Sequence, residues 1–228
     1  MATLSTERSA RPLANPVTNK MILAGTGLVL VGFLTVHLLG ILSAYAGSGA
    51  MNSYVEKLHS LPLLVWLTRI ALIVTFTLHI KYAVHVTLEN RAARPIPYAQ
   101  RNYQKSTVLS RSQIWTGLIL AAFLLYHLLH FTFQTLGVSA QLLSTGGPDV
   151  YKMLLTGLKN PLSAIIYIAG LIALFFHLSH GIHSAPQTLG LTSRRTLPGL
   201  LKAATVVAAL YFIAFVSIPA TILAGILK

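Results

Sequence analysis

Five apolar stretches constrain this chain more than anything else in it: roughly Met21–Ala46, Leu61–Leu88, Ile114–Leu136, Leu162–His183 and Leu200–Leu227. Each supplies at least the ~20 residues with which a helix crosses a hydrocarbon core of ~30 Å. The first follows about twenty polar residues and has no small-residue cleavage site behind it, so it reads as a span and not as a signal peptide. Trp66, Trp115 and several tyrosines fall near the ends of stretches, as an aromatic belt at the membrane interface requires. The expected fold class is all-α, a polytopic membrane protein of five transmembrane helices. It forms one domain over residues 1–228, with residues 1–19 as a polar N-terminal segment.

Charge then becomes a matter of topology. Seventeen Lys and Arg against four acids (Glu7, Glu56, Glu89 and Asp149) leave a formal charge of +13, and only 9% of residues are charged. A soluble protein carries about 25%, and catalysis by paired carboxylates has almost no acids to draw on here. The absence of cysteine removes disulfides, iron–sulfur ligands and thiolate zinc sites. Arg8, Arg11 and Lys20 precede the first span, and Arg91, Arg94, Arg101, Lys105 and Arg111 fill the connection from the second to the third. Arg194, Arg195 and Lys202 flank the connection from the fourth to the fifth, while the opposite side holds Lys57, Lys152, Lys159 and Lys228. Positive charge collects on the cytoplasmic side, which puts the N-terminus inside the cell and the C-terminus outside, an orientation expected here in a plasma membrane, which the family resemblance given below implies is a prokaryote's. No soluble domain carries these basic residues, so nucleic acid is not an expected partner.

The connections are short. Arg91–Arg101 and Thr192–Arg195 read as surface coil, with Pro95 and Pro97 ending the second span; Gly146, Gly147 and Pro148 mark an outer turn.

The chain also repeats itself. Thr26–Gly27–Leu28 leads to Phe33 and His37–Leu38–Leu39, and Thr116–Gly117–Leu118 leads at the same spacing to Phe123 and His127–Leu128–Leu129. Spans two and four echo one another more weakly, through His79 and His85 in one and His177 and His183 in the other. A duplicated helical hairpin makes spans one and three parallel, and likewise two and four. Lys20 to His37 is roughly 25 Å of helix and Arg111 to His127 about 24 Å, so both histidines lie toward the outer face. Span two enters from outside and reaches His79 after about 27 Å; span four reaches His177 after about 25 Å, so this pair lies toward the inner face. The two layers are separated by on the order of 15–20 Å along the membrane normal.

Imidazole is a common axial ligand of haem iron, and helices facing across a bundle can clamp a flat porphyrin between two of them. The first four helices are therefore expected to form a haem-binding bundle, with His37/His127 as an outer and His79/His177 as an inner pair of iron ligands, which the family resemblance given below names distal and proximal. The bland alternative is four histidines hydrogen-bonded to neighbouring helices. A haem-free transporter is weaker, because no Asp or Glu lies at a span centre.

The residues also resemble a known family. Asn52–Ser53 followed by Ser60–Leu61–Pro62, Thr116–Gly117 with Phe123 and His127, and Tyr167–Ile168–x–Gly170 with Phe176–His177–x–Ser179–x–Gly181–x–x–Ser184 are similar to the cytochrome b membrane subunit of succinate dehydrogenase and fumarate reductase (complex II), in its single-chain, five-helix, two-haem form. The resemblance implies two haem b groups on the same four histidines. It also implies a flavoprotein and an iron–sulfur subunit docked on the cytoplasmic face, and electron transfer to or from a quinone, usually menaquinone. Succinate–fumarate chemistry would belong to the flavoprotein. Some relatives carry a glutamate shortly before the span-four ligand; Phe175 and Phe176 stand there in this chain. A cytochrome b anchor of another dehydrogenase or a hydrogenase is the neighbouring alternative.

The remaining polar residues receive separate expectations. Arg111, Lys20 and Lys81 are inner partners for haem propionates, and Arg69, two turns inside span two, is a distal propionate or quinone partner or else pairs with a backbone carbonyl. His130 and His180 lie three residues past a ligand, near its face, and suit a propionate or a neighbouring helix. His85 and His183 sit deeper toward the cytoplasm, facing the partner or headgroups, and His59 reads as a solvated residue of an outer loop, with the rim of an outer quinone site as its alternative. Span five, with Pro219 and its small residues, is expected to serve packing or subunit contact only.

Overall fold

A computed structural model of the chain describes residues 15–93, 107–143 and 146–228. Among them the helices are α1 (Pro16–Leu42), α2 (Ser48–His59), α3 (Pro62–Ala92), α4 (Val108–Arg111), α5 (Gln113–His127), α6 (Val150–Lys159), α7 (Pro161–Thr188) and α8 (Leu197–Leu223). A tight turn, Ser43–Ala46, prolongs α1, and a widened π turn, Leu128–Thr132, prolongs α5. Five of these units are long and apolar enough to cross a membrane: α1 and α5 with their extensions, α3, α7 and α8. The third ends at Thr132, short of the Leu136 that hydropathy suggests, because the wide turn brings the chain to a stop with Gln134 at φ 54°. Arg8, Arg11, Arg94, Pro95, Pro97, Arg101 and Lys105 lie outside the described residues.

Local sequence explains where the spans begin. Proline occupies the first turn of α1, α3, α7 and α8, where its missing N–H would have had no helical partner anyway. Asn15 and Asn160 cap α1 and α7 by accepting from the backbone N–H groups of Val17 and Leu162. Inside the spans, hydroxyls are satisfied within their own helix: Thr35, Thr68, Thr77 and Thr205 each donate to the carbonyl four residues back.

Side-chain contacts fix the register. Thr26 of α1 meets His79 of α3, and Thr116 of α5 meets His177 of α7. Tyr126 of α5 reaches Ser163 at the start of α7, so α5 and α7 run antiparallel. Thr35 and Tyr45 at the C-terminal side of α1 contact Tyr211 and Ser217 of α8, which therefore runs parallel to α1. α7 sits centrally between α1, α5 and α8. α8 packs closely on α7 through small side chains, with Ala204 and Ala208 fully buried and Pro219 buried three turns further along. α3 lies at the periphery and buries no residue.

The connections at one end of the bundle are more than loops. α2 and α6 lie over the ends of the spans and seal them with a core of Ala44, Met51, Leu154, Leu158, Tyr167, Ile218 and Ile222. Asn52 joins the two caps: its side-chain oxygen accepts from the N–H groups of Val150 and Tyr151, and its Nδ2 donates to Asp149. Asp149 in turn caps α6 through the N–H of Lys152. We call this the capped end. The other, carrying Lys20, Arg91, Arg111, Arg194, Arg195 and Lys202, is the basic end.

Candidate functional site

The bundle brings the four repeat-related histidines together as two facing pairs. His37 of α1 and His127, the last residue of α5, lie with ring centres 5.8 Å apart and planes at 84°. His79 of α3 and His177 of α7 lie 6.3 Å apart at 69°. A metal bound by two imidazoles needs nitrogen bonds of about 2 Å and ring half-widths of about 1.1 Å, hence ring centres roughly 6 Å apart. Both pairs meet that requirement. Among the described residues no group of three or more His, Asp or Glu converges on one point. Such a two-imidazole site suits a flat macrocycle that brings its own equatorial ligands.

The rings are held differently at the two pairs. At the pair nearer the basic end, Thr26 Oγ1 lies 3.2 Å from His79 Nδ1, and Thr116 Oγ1 lies 3.2 Å from His177 Nδ1. A Cβ built on Gly27 would stand 3.3 Å from His79 Cε1, and one on Gly117 would stand 3.5 Å from His177 Cε1. The duplicated Thr–Gly is thus the cradle of a histidine on the next helix. Its repetition was visible in the sequence, but its partner was not.

At the capped end, His127 Nδ1 lies 3.1 Å from the Tyr167 hydroxyl, which also lies 3.2 Å from His130 Nδ1. His130 is fully buried on the π turn and bonds a neighbouring helix, one of the two roles its spacing suggests. Phe33 stacks on His37 at 5.7 Å, and Phe215 stands 6.2 Å from it. Tyr167 is the residue that sequence reasoning passed over, though it stands in the motif around Gly170.

The other expected site residues are distributed as follows. His180 and His183 stack edge to face at 4.8 Å, and among the described residues the Nδ1 of each is buried without a hydrogen-bond partner, as is Asn19 Nδ2. His85 pairs with Glu89 at 3.2 Å on the outward side of α3. His59 is the exposed last residue of α2 rather than part of a loop. Arg69 is exposed with its guanidinium 5.1 Å over Trp66, and Lys81 stands 5.7 Å over Tyr82. Neither these two nor the exposed Lys20 is brought to a histidine pair. Arg111 lines an open cleft of about 450 Å³ at the basic end with Thr87, Asn90, Arg91, Ser110, Gln113, Ile114 and Trp115.

Fold and site together define a five-helix membrane protein with two facing histidine pairs at different heights in one bundle. Comparison with known proteins gives the family. Residues 87–218 match the family described as the succinate dehydrogenase/fumarate reductase transmembrane subunit, and the chain belongs to it. That match contains one member of each pair, His127 and His177. The chain is also 27% identical, over 191 residues, to the succinate dehydrogenase cytochrome b558 subunit of Bacillus subtilis (strain 168), which covers 82% of this chain and 86% of the relative. No solved structure matches it significantly.

Proposed function

We propose that this chain is the diheme cytochrome b anchor of a succinate dehydrogenase or fumarate reductase, passing electrons between an iron–sulfur subunit and a membrane quinone such as menaquinone. The observation that carries the reading is the pair of imidazole couples, at 5.8 and 6.3 Å, placed by a duplicated hairpin. His37 and His127 hold the distal haem, His79 and His177 the proximal one; each haem, when bound, supplies a one-electron iron centre. The chain's own residues orient and shield these centres. Thr26, Thr116 and Tyr167 fix imidazole planes, while Phe33, Phe123 and Phe215 crowd the capped-end pair and keep water from it. The basic end faces the cytoplasm and receives the iron–sulfur and flavoprotein subunits, so the proximal site is the one closer to them. Succinate–fumarate interconversion is assigned to the flavoprotein.

The test is the haem content of the purified complex. Two b-type haems per chain are expected in a reduced-minus-oxidised spectrum. His79→Ala or His177→Ala should remove one, and His37→Ala or His127→Ala the other. Wild-type protein without b-type bands, or unchanged haem stoichiometry in all four variants, would overturn the assignment.

A further inference from the structure

We propose that Thr26 and Thr116 are a matched pair of positioning residues that lock both imidazoles of the His79–His177 site in the Nδ1–H tautomer and thereby lower the reduction potential of the haem held there. The inference rests on the two-haem reading above and adds to it a specific electronic role for the duplicated Thr–Gly.

The hydroxyl protons decide the direction of these bonds. Thr26 Oγ1 lies 2.8 Å from the carbonyl of Ile22 and 3.0 Å from that of Leu23. Thr116 Oγ1 lies 3.1 Å from the carbonyls of both Ser112 and Gln113. Each hydroxyl donates to its own helix, so toward the ring it offers only lone pairs. The ring nitrogen at 3.2 Å therefore has to carry the proton, and the opposite nitrogen, Nε2, keeps the lone pair a metal requires. The other tautomer would set lone pair against lone pair. A hydroxyl already donating to a carbonyl is a stronger acceptor, since chained hydrogen bonds polarise one another. A ligand imidazole whose second N–H is held by an acceptor is more basic toward its metal, which favours the oxidised ion.

The glycine that follows each threonine makes the approach close enough. At Gly27 a methyl group would already crowd the ring, at 3.3 Å from His79 Cε1. Two copies of the device, with the same 3.2 Å separation, act on the two ligands of one site.

The capped-end site does not touch either threonine and serves as an internal control for their substitution. Among the described residues, His37 makes no side-chain hydrogen bond. The partner of His127 is a tyrosine hydroxyl shared with His130, able to donate or accept. A threonine substitution should therefore move one haem and spare the other.

The experiment is a spectroscopic redox titration of the purified complex carrying Thr26→Val, Thr116→Val or both. With both haems retained, each single variant should raise the midpoint potential of the His79–His177 haem, and the double variant should raise it further. Thr26→Ser and Thr116→Ser should restore it, and the other haem should stay at its wild-type potential. Unchanged potentials at full haem occupancy, or equal shifts at both haems, would overturn the proposal. Should valine cost the proximal haem, Thr→Ala removes the same acceptor without adding a methyl group against the ring. Loss of that haem from alanine as well, with retention in serine, would make the threonines structural only and would also overturn it. Wild-type protein with no b-type spectrum would instead sink the two-haem reading, leaving no potential to tune.

Discussion

Tyr167 shows how much one hydroxyl settles. It is buried between α5 and α7, with its ring edge-on to Phe123 at 5.2 Å and its oxygen between the Nδ1 atoms of His127 and His130. With one proton it can donate to only one of them. If His127 presents Nε2 to a metal, its Nδ1–H donates to Tyr167, which then donates to His130. Tyr167→Phe should therefore leave His127 and His130 without their shared partner. The expected cost is about 1–3 kcal/mol for each buried polar group left unpaired, read as a lower unfolding temperature in detergent. On the two-haem reading proposed above, the spectrum of the capped-end haem should change while that of the proximal haem stays put. Gly170 is a neighbouring requirement of a different kind: a Cβ there would fall 2.5 Å from the Phe123 ring. Gly170→Ala should cost about 1–3 kcal/mol by overpacking, measured by the same thermal scan, whereas Gly32→Ala, with open space around it, should leave that temperature near wild type.

At the scale of elements, the spans were legible in the sequence and the caps were not, for physical reasons. A span announces itself because every residue over some twenty positions must suit hydrocarbon. α2 and α6 are short, and each is amphipathic against a surface that exists only once the spans have assembled; Met51, Leu154 and Leu158 gain burial solely from that docking. The histidine pairing was legible because a repeat fixes depth, yet depth cannot say what stands behind a ring. Thr26 and His79 are partners across helices, and Tyr167 meets His127 only through the antiparallel packing of α5 and α7. Arg69 is a different case: its depth in the span suggested a propionate, quinone or carbonyl partner, and the structure shows its guanidinium over Trp66 on an exposed face of α3. The caps have their own test. Asn52 supplies the acceptor for two N–H groups at the start of α6 and a donor to Asp149. Asn52→Ala should cost about 1–2 kcal/mol and loosen α6 specifically. Hydrogen exchange over Val150–Lys159 should speed up while α7 and α8 stay protected; uniform exchange across the chain would contradict this division.

For the whole molecule, the two halves of the repeat have unequal fates. α7 is enclosed by α1, α5 and α8 and is the most buried span, whereas its counterpart α3 buries nothing and presents Leu63, Trp66, Leu67, Ile70 and Ile73 outward. A soluble protein could not leave such a helix bare; in a bilayer it is the lipid-facing wall. The asymmetry of the ends completes the picture. One end is closed by α2, α6 and the Asn52–Asp149 clamp. The other carries Arg91, Arg111, Arg194, Arg195 and Lys202 and has an open cleft. In the proposed topology, five crossings put the two termini on opposite sides of the membrane, and the distribution of Lys and Arg chooses which. A fluorescent protein fused before Met1 should therefore light up in the cytoplasm, and a periplasmic phosphatase fused after Lys228 should be active. Exchanging the two reporters should abolish both signals. Activity of the phosphatase at the N-terminus would reverse the orientation and place the basic end away from the cytoplasmic partners. Activity at both ends, or at neither, would contradict an odd number of crossings.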